Sequence, residues 1–359
     1  MTERSLPGGR VDERDTMFAR MSRRGGTPAY EEYYARRPER RAGDDRLRAM
    51  TPLMSPGGLH YDERICGEAG AWFDAIDAIV PDAVQVEAMA GRIRNGANPS
   101  APLKAAALEL GAVAAGCTNL DPAFVYTHKG RFDEDYGRPV TLTHGWALVF
   151  LVEMDHGAMA RAPGAEAIRE SARQYYRAAV AAKTLAAAIA AAGWSARAHY
   201  DAHYDVILPP LAVSAGLGEL GRNNILIAHR FGSRVRIGAV TTDLPLVPGK
   251  ARSLGAEAFC GICMKCADAC PSGALSRGDR VSVRGVLKWP TDDVRCYRYW
   301  RAIGTDCGVC MAVCPFSHRD TAFHNAVRWA VRHLPRAHRA LLFMDDLVYG
   351  RRKSGAPAS

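Results

Sequence analysis

Apolar positions along the chain fall into a few distinct periods. The run WALVFLVEMD (146–155) is continuously apolar with β-branched content, the pattern of a buried strand. VRIGAVTTD (235–243) predicts a second strand, followed by the turn LPLVPGK. Between them, AIRESARQYYRAAVAAKTLAAAIAAAGW (167–194) predicts one long alanine-rich helix ended by Gly193. PSAPLKAAALELGAVAAGC predicts a helix running into a turn. The alternation predicts an α/β sandwich over 61–250, then a small cysteine-rich unit over 251–320. Residues 321–359 read as one amphipathic helix with the basic end YGRRKSG. Residues 1–60 lack such a period and read as an irregular arm. Their twelve arginines and nine acids among the first fifty positions suit a solvated surface anchored by Tyr30, Tyr33 and Tyr34.

Composition changes this picture little. Of 359 residues, 48% are hydrophobic and 24% charged, as in soluble globular proteins. The net charge of +9, from 47 basic and 38 acidic residues, leans mildly toward anionic partners: nucleic acid, an acidic redox protein or an anionic substrate. No apolar run reaches the roughly 18 residues a membrane helix needs. The twin arginine Arg23-Arg24 is followed by an acidic, tyrosine-rich stretch rather than the apolar run of an export signal. The expectation is a cytoplasmic protein, whose clustered cysteines are metal ligands rather than disulfides.

The chemistry is written in two stretches. CGICMKCADACP (260–271) has the spacing C-x2-C-x2-C-x3-C-P, the bacterial ferredoxin run for a [4Fe–4S] cluster. CYRYWRAIGTDCGVCMAVCP (296–315) repeats it with the first step lengthened. In such pairs the cysteine before each proline serves the neighbouring cluster. The expected ligands are therefore Cys260, Cys263, Cys266 and Cys314 for cluster I, and Cys270, Cys296, Cys307 and Cys310 for cluster II. Structural zinc also uses C-x2-C pairs, but the reciprocal C-x3-C-P endings favour two iron–sulfur clusters. Cys66 and Cys117 stand alone and read as buried small hydrophobes. Two adjacent clusters pass single electrons and do no substrate chemistry, so the payload is expected in the preceding 250 residues. There, GLGELG (216–221) fits a dinucleotide fingerprint, with Asp243 downstream. Pro209 and Pro210 stand where a central strand should precede it, and the following helix is short, so nicotinamide binding is set aside. The glycines imply a tight turn or close backbone approach.

CGICMKCADACPSGAL, WPTDDVRCYRYW, GTDCGVCMAVCPFSH, AGLGELGRNNILI, TTDLPL and DERDTMFARM together resemble the reductive dehalogenases, from about residue 10 to about residue 350. These are corrinoid and iron–sulfur enzymes related to epoxyqueuosine reductase, which shares the paired cysteine motifs. The resemblance implies a cobalamin in a nitroreductase-like α/β domain, stacked on a ferredoxin-like unit. It implies a base-off corrinoid, since the His-ligating motif D-x-H-x-x-G is absent: Asp201-Ala202-His203 starts it, but Val206 occupies the glycine position. Gly216, Gly218, Glu219, Gly221, Arg222, Asn223 and Asn224 are then expected to border the corrin. The family's proton donor is a tyrosine assisted by a lysine or arginine. Tyr126, in NLDPAFVYTHKG, is the expected donor. Lys183, which has no carboxylate neighbour on its helix, is its expected partner, with Arg177 as substitute. Lys250 and Arg252 are candidates to hold a phenolate substrate. Electrons are expected from a separate ferredoxin, flavodoxin or flavin reductase, with no membrane partner. The implied activity is cytoplasmic, catabolic reductive dehalogenation. The rivals are a tRNA-acting epoxyqueuosine reductase relative and a non-catalytic corrinoid or electron-transfer protein.

Overall fold

The computed structural model describes residues 9–354. The N-terminal arm is helical rather than irregular: α1 (Met17–Ser22), α2 (Pro28–Arg36) and α3 (Pro38–Ala49). Thr27 caps α2, and Pro28 and Pro38 occupy first-turn positions, where their missing N–H costs nothing. The mixed charge that reads as a solvated surface is turned inward. Tyr30, Tyr33 and Tyr34 are buried. The Tyr34 hydroxyl donates to Asp44 at 2.8 Å, and Asp44 also pairs with Arg20. Arg48 donates to the Tyr34 oxygen at 2.9 Å. The Arg23 guanidinium stacks 4.1 Å from the Tyr136 ring centre. A polar set this well paired can be buried; an apolar period was not needed to make these helices.

Three further helices follow: α4 (Glu63–Ala75), α5 (Ala83–Asn95) and α6 (Ser100–Glu109). The body is a four-stranded sheet of β1 (Ala114–Asn119), β2 (Trp146–Glu153), β3 (Ala196–His199) and β6 (Val235–Thr242), in the order β1-β2-β6-β3. Every pairing is antiparallel, so this is a helix-covered antiparallel sheet rather than a parallel α/β sheet. After β2 come the short α7 (His156–Ala160) and the 27-residue α8 (Ala165–Ala191), close to the expected helix. Leu148, Phe150, Val152 and Val240 bury one sheet face under α8, α5 and α6. Ala147, Val149, Leu151 and Ala239 bury the other under α9 (Leu208–Ser214). Coverage on both faces is why β2 reads as one unbroken apolar run. Phe150 opposes Gly238, where a Cβ would stand 2.4 Å from the ring.

The glycine-rich stretch forms a small hairpin, β4 (Gly218–Leu220) and β5 (Leu226–Ala228). The cysteine-rich segment holds α10 (Ala256–Cys263), α11 (Lys265–Asp268), the hairpin β7 (Val281–Val283) and β8 (Val286–Lys288), α12 (Asp293–Ile303) and α13 (Val309–Ala312). The tail is two helices, α14 (Ala322–His333) and α15 (His338–Tyr349), rather than one; Pro335, at the start of a short turn, separates them. No helix among the described residues is long and apolar enough to cross a membrane.

Candidate functional site

The cysteines form two rings. Cys260, Cys263, Cys266 and Cys314 line one cavity with Arg222, Phe259 and Phe316. The left-handed Met264, between α10 and α11, turns the chain so that these three local thiols face inward. Burial, then the charge of Cys314, pushes the Cys260 thiol up to about 12. Cys263 is likewise raised to about 12, chiefly by burial. Four such thiolates cannot coexist without a cationic centre, so the ring is built to be completed by metal. The second ring is Cys270, Cys296, Cys307 and Cys310. Burial, then Cys307 and Cys270, raises Cys296 to about 12. Cys310 is raised by burial and then by Cys307, Cys266, Cys296 and Cys270, so it faces both rings, which are neighbours. Cys66 and Cys117 are buried in apolar clusters away from both.

Glu219, Leu220 and Gly221 line a surface cavity of about 180 Å³ with Trp289 and Arg280, and Arg222 and Asn223 line the cavity of the first four thiols. A Cβ on Gly218 would stand 2.2 Å from the Ile227 carbonyl oxygen, and one on Gly216 2.6 Å from that of Lys250. On Gly221 it would lie 2.7 Å from the Asn223 side chain. These glycines admit other parts of this chain. The Glu219 carboxylate accepts from the backbone N–H of Leu254 and Ala256, both at 2.8 Å, and so caps α10. Arg222 donates to the carbonyls of Cys260 at 3.0 Å and Ser276 at 2.9 Å, and stacks 4.7 Å from the Trp289 ring. Asn224 donates to the Trp289 carbonyl and Thr291, while Asn223 accepts from the Ile225 N–H. The loop is a latch between the sheet domain and cluster I.

Lys183 is not beside Tyr126. Its ammonium donates to the carbonyls of Ile76 (2.9 Å), Asp77 (3.2 Å) and Ile79 (3.3 Å), just past the end of α4. It lies 5.4 Å from the Tyr200 ring, on the α8 side of the sheet, whereas Tyr126 packs with the cluster on the opposite side. The substitute, Arg177, turns to the outer side of α8, to Gln174 and Gly111. Lys250 and Arg252 are exposed, and neither is among the charges acting most strongly on any buried tyrosine.

A different cation meets a tyrosine. β3 pairs only with the Ala239–Thr242 end of β6, leaving residues 235–238 without a strand partner on that edge. There the Arg236 guanidinium stacks 4.4 Å from the Tyr175 ring centre. It also donates to Ser171 at 2.5 Å and Asp306 at 3.3 Å; Ser171 donates to Asp306 at 2.5 Å. Asp306 directly precedes the cluster II cysteine Cys307. Burial pushes the Tyr175 phenol up to about 12, opposed by Arg236 and assisted by Asp201 and Asp306. Tyr204, which donates to Asp201 at 2.8 Å, is raised well above the ordinary range by burial. Tyr126 is raised by burial and by Glu13. Arg131, whose guanidinium lies 4.9 Å from the Phe18 ring centre, pulls all three phenols down. Each of these tyrosines keeps some accessible surface. Tyr175 packs against the apolar cluster under α8, and Tyr126 and Tyr204 against the cluster on the other sheet face.

A protein-family model for the 4Fe-4S dicluster domain matches residues 259–318, which holds all eight clustered cysteines. The tetrachloroethene reductive dehalogenase of Desulfitobacterium hafniense is 34% identical over 220 residues, covering 58% of this chain and 39% of its own. The fold matches the catabolic reductive dehalogenase NpRdhA, solved in complex with 3-bromo-4-hydroxybenzoic acid. Here the TM-score is 0.75 at 26% identity, over 97% of this chain and 47% of that one. This chain is homologous to the reductive dehalogenases. A further homologue, whose structure is described as suggesting a mechanism for B12-dependent dehalogenation, gives a TM-score of 0.69 at 27% identity, over 85% of this chain and 45% of that one. The chain spans less than half the length of each of these relatives. Its dehalogenase homologues are oxidoreductases. In this dehalogenase homologue, Tyr175 and Arg236 escaped the sequence reading, yet a signal existed. Ser171, Gln174 and Tyr175 put polar groups near the core-facing stripe of an alanine-rich helix, and Arg236 interrupts a strand that is otherwise apolar or small.

Proposed function

We propose that this chain is a corrinoid-dependent reductive dehalogenase of the catabolic, cytoplasmic kind, acting on a halogenated phenol or a related small aromatic. The observation that carries this reading is the Tyr175–Arg236 pair, tied through Asp306 to the chain one residue before Cys307. The net reaction takes R–X, two electrons and one proton to R–H and X⁻. Cys260, Cys263, Cys266 and Cys314, and Cys270, Cys296, Cys307 and Cys310, would each hold a [4Fe–4S] cluster, and such a pair would supply the electrons singly. The ten free thiols suit a reducing compartment.

We place the corrinoid beside the Tyr175–Arg236 pair, within a nitroreductase-like domain. The open edge of β6 offers backbone groups to ring carboxamides, and the buried Arg236 Nε has no partner among the described residues. A base-off state suits His203, which is taken up by Asp77 at 2.9 Å and by stacking on Phe132 and Tyr200. When bound, the corrinoid supplies a low-valent cobalt that breaks the carbon–halogen bond. Tyr175 gives its phenolic proton to the carbon centre, and Arg236 stabilises the phenolate left behind. Ser171 and Asp306 hold Arg236 in place. Arg131 is the cation available to an anionic substrate, a role supported by the bromohydroxybenzoate bound to the catabolic relative. Tyr126 packs against the apolar cluster on the α9 face of the sheet.

The test is anaerobic reconstitution with cobalamin and iron sulfide, followed by halide release from chlorinated and brominated phenols and alkenes with a chemical reductant. Halide release is expected from at least one phenol. Protein carrying cobalamin and about eight irons that releases none from any substrate overturns the proposal.

A further inference from the structure

The two C-terminal helices border a shallow groove of about 60 Å³ whose exposed lining surface is mostly apolar. Phe259, Pro315 and Phe316 form its floor, and the same three residues line the cavity of the cluster I thiols. One layer of side chains therefore separates the groove from cluster I. The Tyr175–Arg236 pair lies instead beside the second thiol group, through Asp306 and Cys307. Electrons bound for that pair thus have their natural entry at cluster I, under this groove.

The groove continues onto an exposed apolar surface. Leu347 is 76% exposed, Phe343 69% and Phe323 60%. A patch of this kind, rimmed by charge, has the anatomy of a protein–protein contact. The rim has one sign. Over 319–353 the fully exposed charged residues are Arg319, Arg332, Arg336, Arg339, Arg352 and Lys353, all basic. The three acids of that segment are partly covered and paired: Asp320 with Arg230, Asp345 with Lys265 and Asp346 with Arg351.

We propose that the α14–α15 face is the docking surface for an acidic one-electron carrier protein of the ferredoxin class. An apolar centre excludes water over cluster I, and the arginine rim steers an acidic partner onto it. Each docking event oxidises the carrier by one electron and reduces cluster I by one; two events supply one halide release. The assignment rests on the dehalogenase reading for its purpose, but electron entry is measurable without any halide.

The experiment mixes the iron-loaded protein anaerobically with a reduced acidic ferredoxin and follows cluster bleaching by stopped flow. In the Phe343→Glu/Leu347→Glu protein, iron content and dithionite reduction are expected to match wild type. Bleaching by ferredoxin is expected to slow by about tenfold or more, since acids now face acids across the contact. Arg336→Glu/Arg339→Glu is expected to slow it and flatten its dependence on salt. Equal ferredoxin rates in wild type and both variants would overturn the proposal. So would a wild-type dimer, seen by sedimentation, that the glutamates dissociate without changing the ferredoxin rate; the face would then belong to a second copy.

Discussion

Single residues divide into those whose chemistry is local and those whose role depends on what the fold brings beside them. The eight cysteines belong to the first kind: a thiolate needs only its spacing to be recognised as a cluster ligand, and Cys260, Cys263, Cys266 and Cys314 line one cavity. Tyr126, Tyr175 and Lys183 belong to the second. A lysine without a carboxylate at helical spacing reads as free for catalysis, but backbone carbonyls are invisible to such a count, and Lys183 finds three. The proton donor follows from the cation beside it. Tyr175→Phe is expected to lower halide release by about 10²–10⁴, whereas Tyr126→Phe stays within about tenfold of wild type. The reverse ordering in a steady-state assay would return the role to Tyr126. Arg236 also sets a pH limit. It opposes the rise of the Tyr175 phenol, which stands at about 12. Replacing it with Gln lets that value climb, so the acid weakens, the rate falls and any alkaline limb moves to higher pH. A limb that moves downward counts against the pair. Lys183→Met is expected to leave turnover intact and to cost about 1 kcal/mol in denaturant unfolding, through the carbonyls left without a donor.

Elements were legible where apolar period and burial coincide, as in β2, β6 and α8, and illegible where polar groups are buried in pairs, as in α2 and α3. The glycine-rich hairpin is the instructive case. Its glycines mark close approach, as glycines do, but the approaching atoms are the Ile227 and Lys250 carbonyls rather than a ligand. Glu219, read beside them as a binding residue, works on another element. Its carboxylate accepts from three N–H groups at the start of α10, the helix that carries Cys260 and Cys263. Glu219→Ala removes that cap, a loss of about 0.5–2 kcal/mol, at the point where cluster I is held. The expected result is iron falling from about eight toward four per chain after anaerobic purification. The EPR signals of the second cluster should persist. Full iron content in that variant would confine Glu219 to the surface of the problem.

At the scale of the whole molecule, two bodies of different construction lean on one another. The sheet domain has deep apolar layers on both faces, so it keeps its structure by burial alone. The cysteine unit has small clusters in which thiols form a large share of the buried groups. It is joined to the sheet domain by the Arg222 latch and by Arg234, which donates to the Met154 and Ser317 carbonyls, both at 2.6 Å. In the proposed ligand sets Cys314 joins the first motif's cysteines and Cys270 the second's, so metal would tie 260 to 314 and its removal would release the unit as a whole. Hydrogen exchange on protein stripped of iron is expected to show residues 256–316 losing protection together, while β2 and β6 remain as slow as in the loaded protein. The Arg236–Asp306 contact between the bodies is lost at the same time, so the stripped protein is also expected to bind cobalamin at least about tenfold more weakly. Unchanged protection across 256–316 would mean that the apolar contacts of the unit suffice. The clusters would then be passengers in a fold that stands without them, and the coupling of iron to corrinoid binding would disappear with that dependence.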